Sequence, residues 1–195
     1  MVRNGGIFRR FFASTCGVAA IEFSFLFPVL LLLLLAGIDG ARAIAISMKV
    51  RSAAYAVDAI ANQYSSIYDA DLTNILCATS SVLSPYSTSP LAITLSQIKI
   101  GANGHAHVSW SDTQNGTAHS VGASITIPSQ LTNTSAPNKA CASYPCYALL
   151  AEVSYTYTPM FAHFITGPIN LSDKVYVTPR NVICIQRNGT VPANC

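Results

Sequence analysis

The sequence predicts an α+β protein: one long amino-terminal helix, half of it apolar enough to lie in a membrane, followed by an antiparallel β-sheet domain. Three observations predict it. Gly17 to Ile38 is an almost unbroken apolar run, and roughly 20 such residues are what a helix needs to cross a bilayer. Beyond it, Ile46, Val50, Ala53, Val57, Ile60 and Tyr64 recur at alternating spacings of four and three, the signature of one apolar helical stripe. From Leu91 onward the apolar period changes to two, the period of strands.

These observations divide the chain into a basic leader (1–17), a membrane helix (18–38), a continuation of that helix outside the membrane (39–66) and an exported α+β domain (67–195). Backbone facing hydrocarbon must close its hydrogen bonds within itself, so the apolar run is helical, and Pro28 is tolerable inside it. A helix from Val18 to about Tyr64 would be roughly 70 Å long at 1.5 Å per residue. Ala54, Ala56, Ala59 and Ala61 favour helix and let another element approach closely. The stripe is too short for a sustained heptad pattern and reads as a helix packed on its own domain. One charge, Glu22, breaks the apolar run. A carboxylate in the middle of a membrane helix costs roughly 2.5 to 3.5 kcal/mol, which makes such an acid a functional candidate. The competing reading is a side chain near the helix end that snorkels to the interface.

Downstream, Asp69 to Leu76 reads as a short helical turn and Ser80 to Pro90, rich in Ser, Thr and Pro, as a loop. Ile93, Leu95, Ile98 and Ile100 mark one strand, and Ala106, Val108 and Trp110 a second beyond the Gly101–Gly104 turn. A third, at Ala123, Ile125 and Ile127, follows the turn-forming Asn115-Gly116 pair. Residues 130–140 read as a loop around Pro137. The strongest strand runs from Tyr147 to Thr158, with Leu149, Ala151, Val153, Tyr155 and Tyr157 on one face and Leu150, Glu152, Ser154 and Thr156 on the other. Residues 160–173 form an excursion that offers Phe161, Phe164 and Ile165 for packing. Val175 and Val177 begin a last strand, which Pro179 interrupts or places at an edge.

The net charge of +3 comes from the leader, where Arg3, Arg9 and Arg10 face no acid; beyond Glu22 the chain carries eight basic against seven acidic residues. A nearly neutral body has no electrostatic footprint for nucleic acid. Leader arginines favour a cytoplasmic amino terminus. The exit residues Arg42, Lys49 and Arg51 weaken that bias, but five of the six cysteines (Cys77, Cys141, Cys146, Cys184 and Cys195) lie after the span, where an oxidising compartment permits disulfides. Cys141 with Cys146, and Cys184 with Cys195, are the nearest pairs in sequence, although sequence alone does not fix connectivity.

No nucleophile elbow, phosphate-binding loop or zinc-protease motif is present, so the expectation is a protein that is not an enzyme, with no cofactor and no small-molecule substrate. His105, His107 and His119 lack a cysteine or carboxylate at ligand spacing and read as a solvated strand face rather than a metal site. Asn115, Asn133, Asn170 and Asn188 stand in Asn-x-Ser/Thr triplets, acceptor sites only in a eukaryotic secretory protein. Cys16 precedes the apolar region and is therefore no lipidation site.

The stretch Gly17-Val-Ala-Ala-Ile-Glu-Phe23, behind a basic leader, resembles the processing site of prepilin-like proteins. The resemblance implies that a membrane peptidase cuts after Gly17, leaving Val18 first and Glu22 fifth in the mature chain. It sharpens to the TadE-like pseudopilins of the tight-adherence (Flp) pilus system: arginines, a small-residue stretch, the Glu22-Phe23 pair, a Pro-interrupted leucine run, and Gly37-Ile38-Asp39-Gly40 with Arg42 at the exit. Cys16, Asp39 and the position of Arg42 depart from the common pattern. Val108-Ser-Trp-Ser111, Glu152-Val-Ser-Tyr-Thr-Tyr-Thr-Pro159 and Thr178-Pro-Arg180 extend the resemblance from about Arg9 to Arg180. It implies a pilin-like fold and a single pass through a bacterial inner membrane with a periplasmic domain. The implied partners are the membrane, other pilins and pseudopilins, the inner-membrane assembly platform and the prepilin peptidase. The alternative is a secreted or anchored adhesin-like binding domain behind a cleaved signal peptide, with Ala41 and Ala43 as the cleavage pattern and a mature chain starting near Ile44.

Overall fold

The computed structural model describes residues 16–132, 145–161 and 163–190. Helix α1, Cys16–Ala61, is a single continuous helix of 46 residues that includes Pro28. At 1.5 Å per residue it is about 70 Å long. Its two halves meet different surroundings. From Gly17 to Leu34 the side chains are exposed, and beyond Ala43 the expected stripe turns inward: Ile46, Val50, Ala53 and Val57 are all at most 2% exposed. The helix ends at Ala61, slightly before the expected Tyr64, as Gln63 and Tyr64 donate tighter i→i−3 bonds to Ile60 and Ala61.

Strand β1 (Ser66–Ile67) leads into helix α2, Asp69–Ser81. At its start the Asp71 carboxylate accepts the Tyr68 backbone N–H at 3.1 Å, and Asp69 and Asp71 place negative charge at the positive end of the helix dipole. The helix runs past the expected Leu76. Thr79, Ser80 and Ser81 return their hydroxyls to carbonyls of the preceding turn, Ile75 and Cys77, so residues that compositionally suggest a loop form the last helical turn.

A five-stranded antiparallel sheet follows, in the order β4-β3-β2-β5-β6. Its strands are β2 (Leu91–Ile100), β3 (Ala106–Gln114), β4 (Ser124–Ile125), β5 (Cys146–Tyr157) and β6 (Ile169–Val177). Short helices α3 (Ser129–Thr132) and α4 (His163–Thr166) lie in the connections, and β7 (Gln186–Arg187) pairs with β1 in a two-residue parallel ladder.

One face of the sheet packs on α1 and α2. Leu91, Ile93, Leu95, Leu149, Ala151 and Val153 join the helical stripe in the main core. The other face carries a smaller core of Ile98, Ile100, Ala106, Cys146 and Ala148, covered by Ile125, Ile127, Leu131 and Tyr176.

Two expectations are corrected by this topology. Ala106, Val108 and Trp110 do not share a face, because a bulge between the pairs Gln97↔Trp110 and Ile98↔Val108 leaves Ser109 unpaired and turns Trp110 into the main core. There its indole N–H donates to the Ile185 carbonyl at 3.1 Å. Leu150 lies on the second face of β5 with Glu152, as its spacing predicts, and is buried opposite Tyr176. Strand β6 begins at Ile169 rather than Val175. As the edge strand it carries Asn170, Ser172 and Asp173 in a mostly exposed pattern, which hides the apolar period.

Candidate functional site: the membrane helix and its exit

Gly17 and Val18 occupy the first turn of α1. Both are exposed, and a Cβ added at Gly17 would meet nothing within 4 Å. Glu22 lies one helical turn beyond Val18, also exposed, with Phe23 beside it stacked on Phe27 at a ring separation of 5.5 Å. Gly17, Val18 and Glu22 thus share one end of α1, in the apolar half whose side chains no part of the domain covers.

The other end of the apolar run is tied to the domain by Asp39. It is 4% exposed. Its carboxylate accepts the backbone N–H of Met160 at 3.1 Å and of Phe161 at 2.8 Å, and the Tyr157 hydroxyl donates to the Asp39 carbonyl at 3.3 Å. Burial, reinforced by the neighbouring Asp39 charge, pushes the Tyr157 phenol above its ordinary range. One helical turn on, the exposed Arg42 points its guanidinium at the Met160 sulfur, 3.6 Å away. Higher still, Arg51 pairs with Asp173 of β6 at 3.1 Å. The sequence marked Asp39 only as an exit residue; its burial follows from the Tyr157–Phe161 turn folding back onto the helix.

Of the six cysteines, Cys146 and Cys184 are buried and disulfide-bonded, and Cys77 is an exposed free thiol. The expected partners Cys141 and Cys195 lie outside the described residues.

The polar half of the sheet's outer face gathers side chains that the sequence scattered. Thr94 bonds Thr113 at 2.9 Å and Ser96 bonds Ser111 at 2.8 Å. Glu152 takes Lys174 at 2.6 Å on one oxygen and His119 on the other. Burial pushes the Glu152 carboxyl up, but the hydrogen bonds from Lys174 and His119 outweigh it and hold it below the usual range. These groups satisfy one another, which is the chemistry of a cross-strand ladder rather than of an open site. Among the described residues no cluster of three or more potential metal ligands occurs. His119 is engaged with Glu152, and His107 Nδ1 lies 3.2 Å from the Gly122 carbonyl.

A helix long and apolar enough to cross a bilayer, continued into an antiparallel sheet domain, defines an α+β protein with, among the described residues, one candidate membrane span. Residues 17–57 match the family model described as TadE-like protein. The match spans the apolar run and most of the buried stripe, narrower than the resemblance from Arg9 to Arg180. No curated protein and no solved structure matches the chain.

Proposed function

We propose that this chain is a membrane-anchored pseudopilin that helps build or initiate a tight-adherence pilus, and that it is not an enzyme. The observation that carries the reading is the TadE-like match over the helix whose apolar half is bare and whose other half forms the spine of a folded domain. In this reading the amino terminus is cytoplasmic, the domain periplasmic, and the prepilin peptidase cuts between Gly17 and Val18. Other pilins and the assembly platform meet the exposed helix.

The burial of Asp39 speaks against the alternative of a cleaved signal peptide. A cut after Ala43 would remove Asp39 and strip the N–H groups of Met160 and Phe161 of their acceptor. The test combines two measurements. Intact mass of the membrane-extracted protein should correspond to a chain beginning at Val18, and cells lacking the gene should lose surface pili and regain them with the intact chain. A mature terminus near Ile44, or normal piliation without the gene, rejects the proposal.

A further inference from the structure

We propose that the start of the turn between β5 and β6, residues 158–161, is a second membrane contact, seated in the lipid headgroup layer beside the point where α1 leaves the bilayer. The inference rests on the reading of residues 18–38 as the span. Asp39 is the first residue beyond that run, and the backbone nitrogens of Met160 and Phe161 lie 3.1 and 2.8 Å from its carboxylate oxygens. Along the helix axis the turn therefore sits within about one helical turn, some 5 Å, of the end of the hydrocarbon core. The headgroup layer on each side is about 5 to 7 Å thick, so the turn cannot avoid it while Asp39 stays bound.

The chemistry of the turn fits that layer. Met160 is 64% exposed, Phe161 43% and Ile169 36%, a cluster of large apolar side chains uncovered by the rest of the domain. Ile169 pairs with Tyr157, so the edge strand begins at the same level. Arg42, exposed above Met160, stands at the height of the lipid phosphates. Tyr86, Tyr155 and Tyr157 line a groove with Arg42 at this same end of the sheet. Apolar anchors below, with the half-buried Tyr86 and a cation above, are the arrangement that lies stably at a membrane interface. The occupant is the lipid surface already required by α1, and the contact fixes the tilt of the domain over the bilayer by adding a second point to the single pivot of the helix.

The test uses the full chain in phosphatidylcholine vesicles whose acyl chains carry bromine, a tryptophan quencher, at a shallow or a deep position. Trp110 is buried and supplies the background emission. Met160→Trp should be quenched, and more by shallow than by deep bromines, with Phe161→Trp as the second probe if the first variant fails to fold. Leu32→Trp should be quenched most by deep bromines. Val121→Trp, 74% exposed and next to Gly122, whose N–H bonds to Val108 at the opposite end of the sheet, should stay at background. Quenching at position 32 with background emission at both 160 and 161 overturns the second contact and leaves the span intact. Background emission at position 32 overturns the span and this proposal with it.

Discussion

The carboxylate of Asp39 accepts the backbone N–H of Phe161 at 2.8 Å across 122 residues of sequence, and that of Met160 at 3.1 Å. A charge one residue beyond an apolar run would ordinarily turn to water. Here the returning chain supplies two donors and buries it, so the helix and the sheet domain are locked together at the membrane exit. Hydrogen bonds to charged groups contribute about 1.5 to 3 kcal/mol each, and removing the acceptor strands two donors. Asp39→Ala is expected to lower the stability of the domain by about 3 kcal/mol, with Asp39→Asn costing less because one carbonyl oxygen remains. Denaturant midpoints in detergent measure this; an Ala variant as stable as the wild type would show that the contact carries no stability.

Asp58 sets the pH response. It lies within the buried stripe, 1% exposed, and among the described residues neither carboxylate oxygen meets a hydrogen-bond donor. Desolvation pushes its pKa from 3.8 to about 8. Between those values the folded protein holds a proton that the unfolded chain has released, so stability falls as pH rises through the window. The penalty is full above pH 8 and absent below pH 4, and by linkage it amounts to about 5 kcal/mol. Asp58→Asn should exceed the wild type only modestly at pH 5 and by far more at pH 8, with a flatter slope between. Urea unfolding at the two pH values decides; a wild type that gains stability from pH 5 to 8, with the variant unchanged, would contradict the assignment.

How much of this was legible in sequence depended on whether burial followed a period. The α1 stripe was legible because Ile46, Val50, Ala53 and Val57 repeat at helical spacing and pack as read. Asp39 and Asp58 were not, because a polar residue on a helix is read as facing solvent unless its partner, or its lack of one, is known. The inward turn of Trp110 depends on one extra residue, Ser109, which leaves no trace in the alternation. The β1–β7 ladder is two residues long and held from outside by Arg187, whose guanidinium meets Asp112 at 2.7 Å and also bonds Asp69 and the Ile67 carbonyl. Such a junction joins residues far apart in sequence, and no local pattern announces it. The turn against Asp39 left no mark in the sequence, since Phe161 reads as available for packing until the fold leaves it exposed.

The cysteines give a covalent test of the carboxyl-terminal region. Cys184 and Ile185 are buried, and the Ile185 N–H donates to Gln97 Oε1 at 2.7 Å, so the segment closes the main core. The proposed pairs are Cys141 with Cys146 and Cys184 with Cys195, leaving Cys77 unpaired among the five cysteines beyond the apolar run. Closing the loop of about a dozen residues between Cys184 and Cys195 contributes roughly 3 kcal/mol in the chain-entropy model. Alkylation without reductant should label Cys77, and non-reducing peptide mapping should recover both short loops. A peptide joining Cys77 to Cys184 would refute the pairing.

The last prediction concerns Glu22 and rests on the proposed pseudopilin role. After cleavage behind Gly17, Val18 carries a free amine one helical turn, about 6 Å along the axis, from the Glu22 carboxylate. Both residues are exposed on a helix that the domain leaves bare, so neither is committed to a contact within its own chain by packing. Subunits staggered along a filament could then join the amine of one chain to the carboxylate of the next. Opposite charges attract more strongly where water is scarce, but desolvating both offsets much of the gain, so the pair sets register more than affinity. Replacing the carboxylate by an amide removes an intramembrane charge, and a single helix should insert at least as well without it. Glu22→Gln is therefore expected to leave membrane insertion and export unchanged while reducing pilus number, whereas Gly17→Leu should block cleavage and retain the leader. Pilus counts by electron microscopy, with intact mass of the same extracts, read both effects. Normal piliation by Glu22→Gln from uncleaved chains would show that no such pairing operates, and would return Glu22 to a side chain that merely reaches the membrane edge.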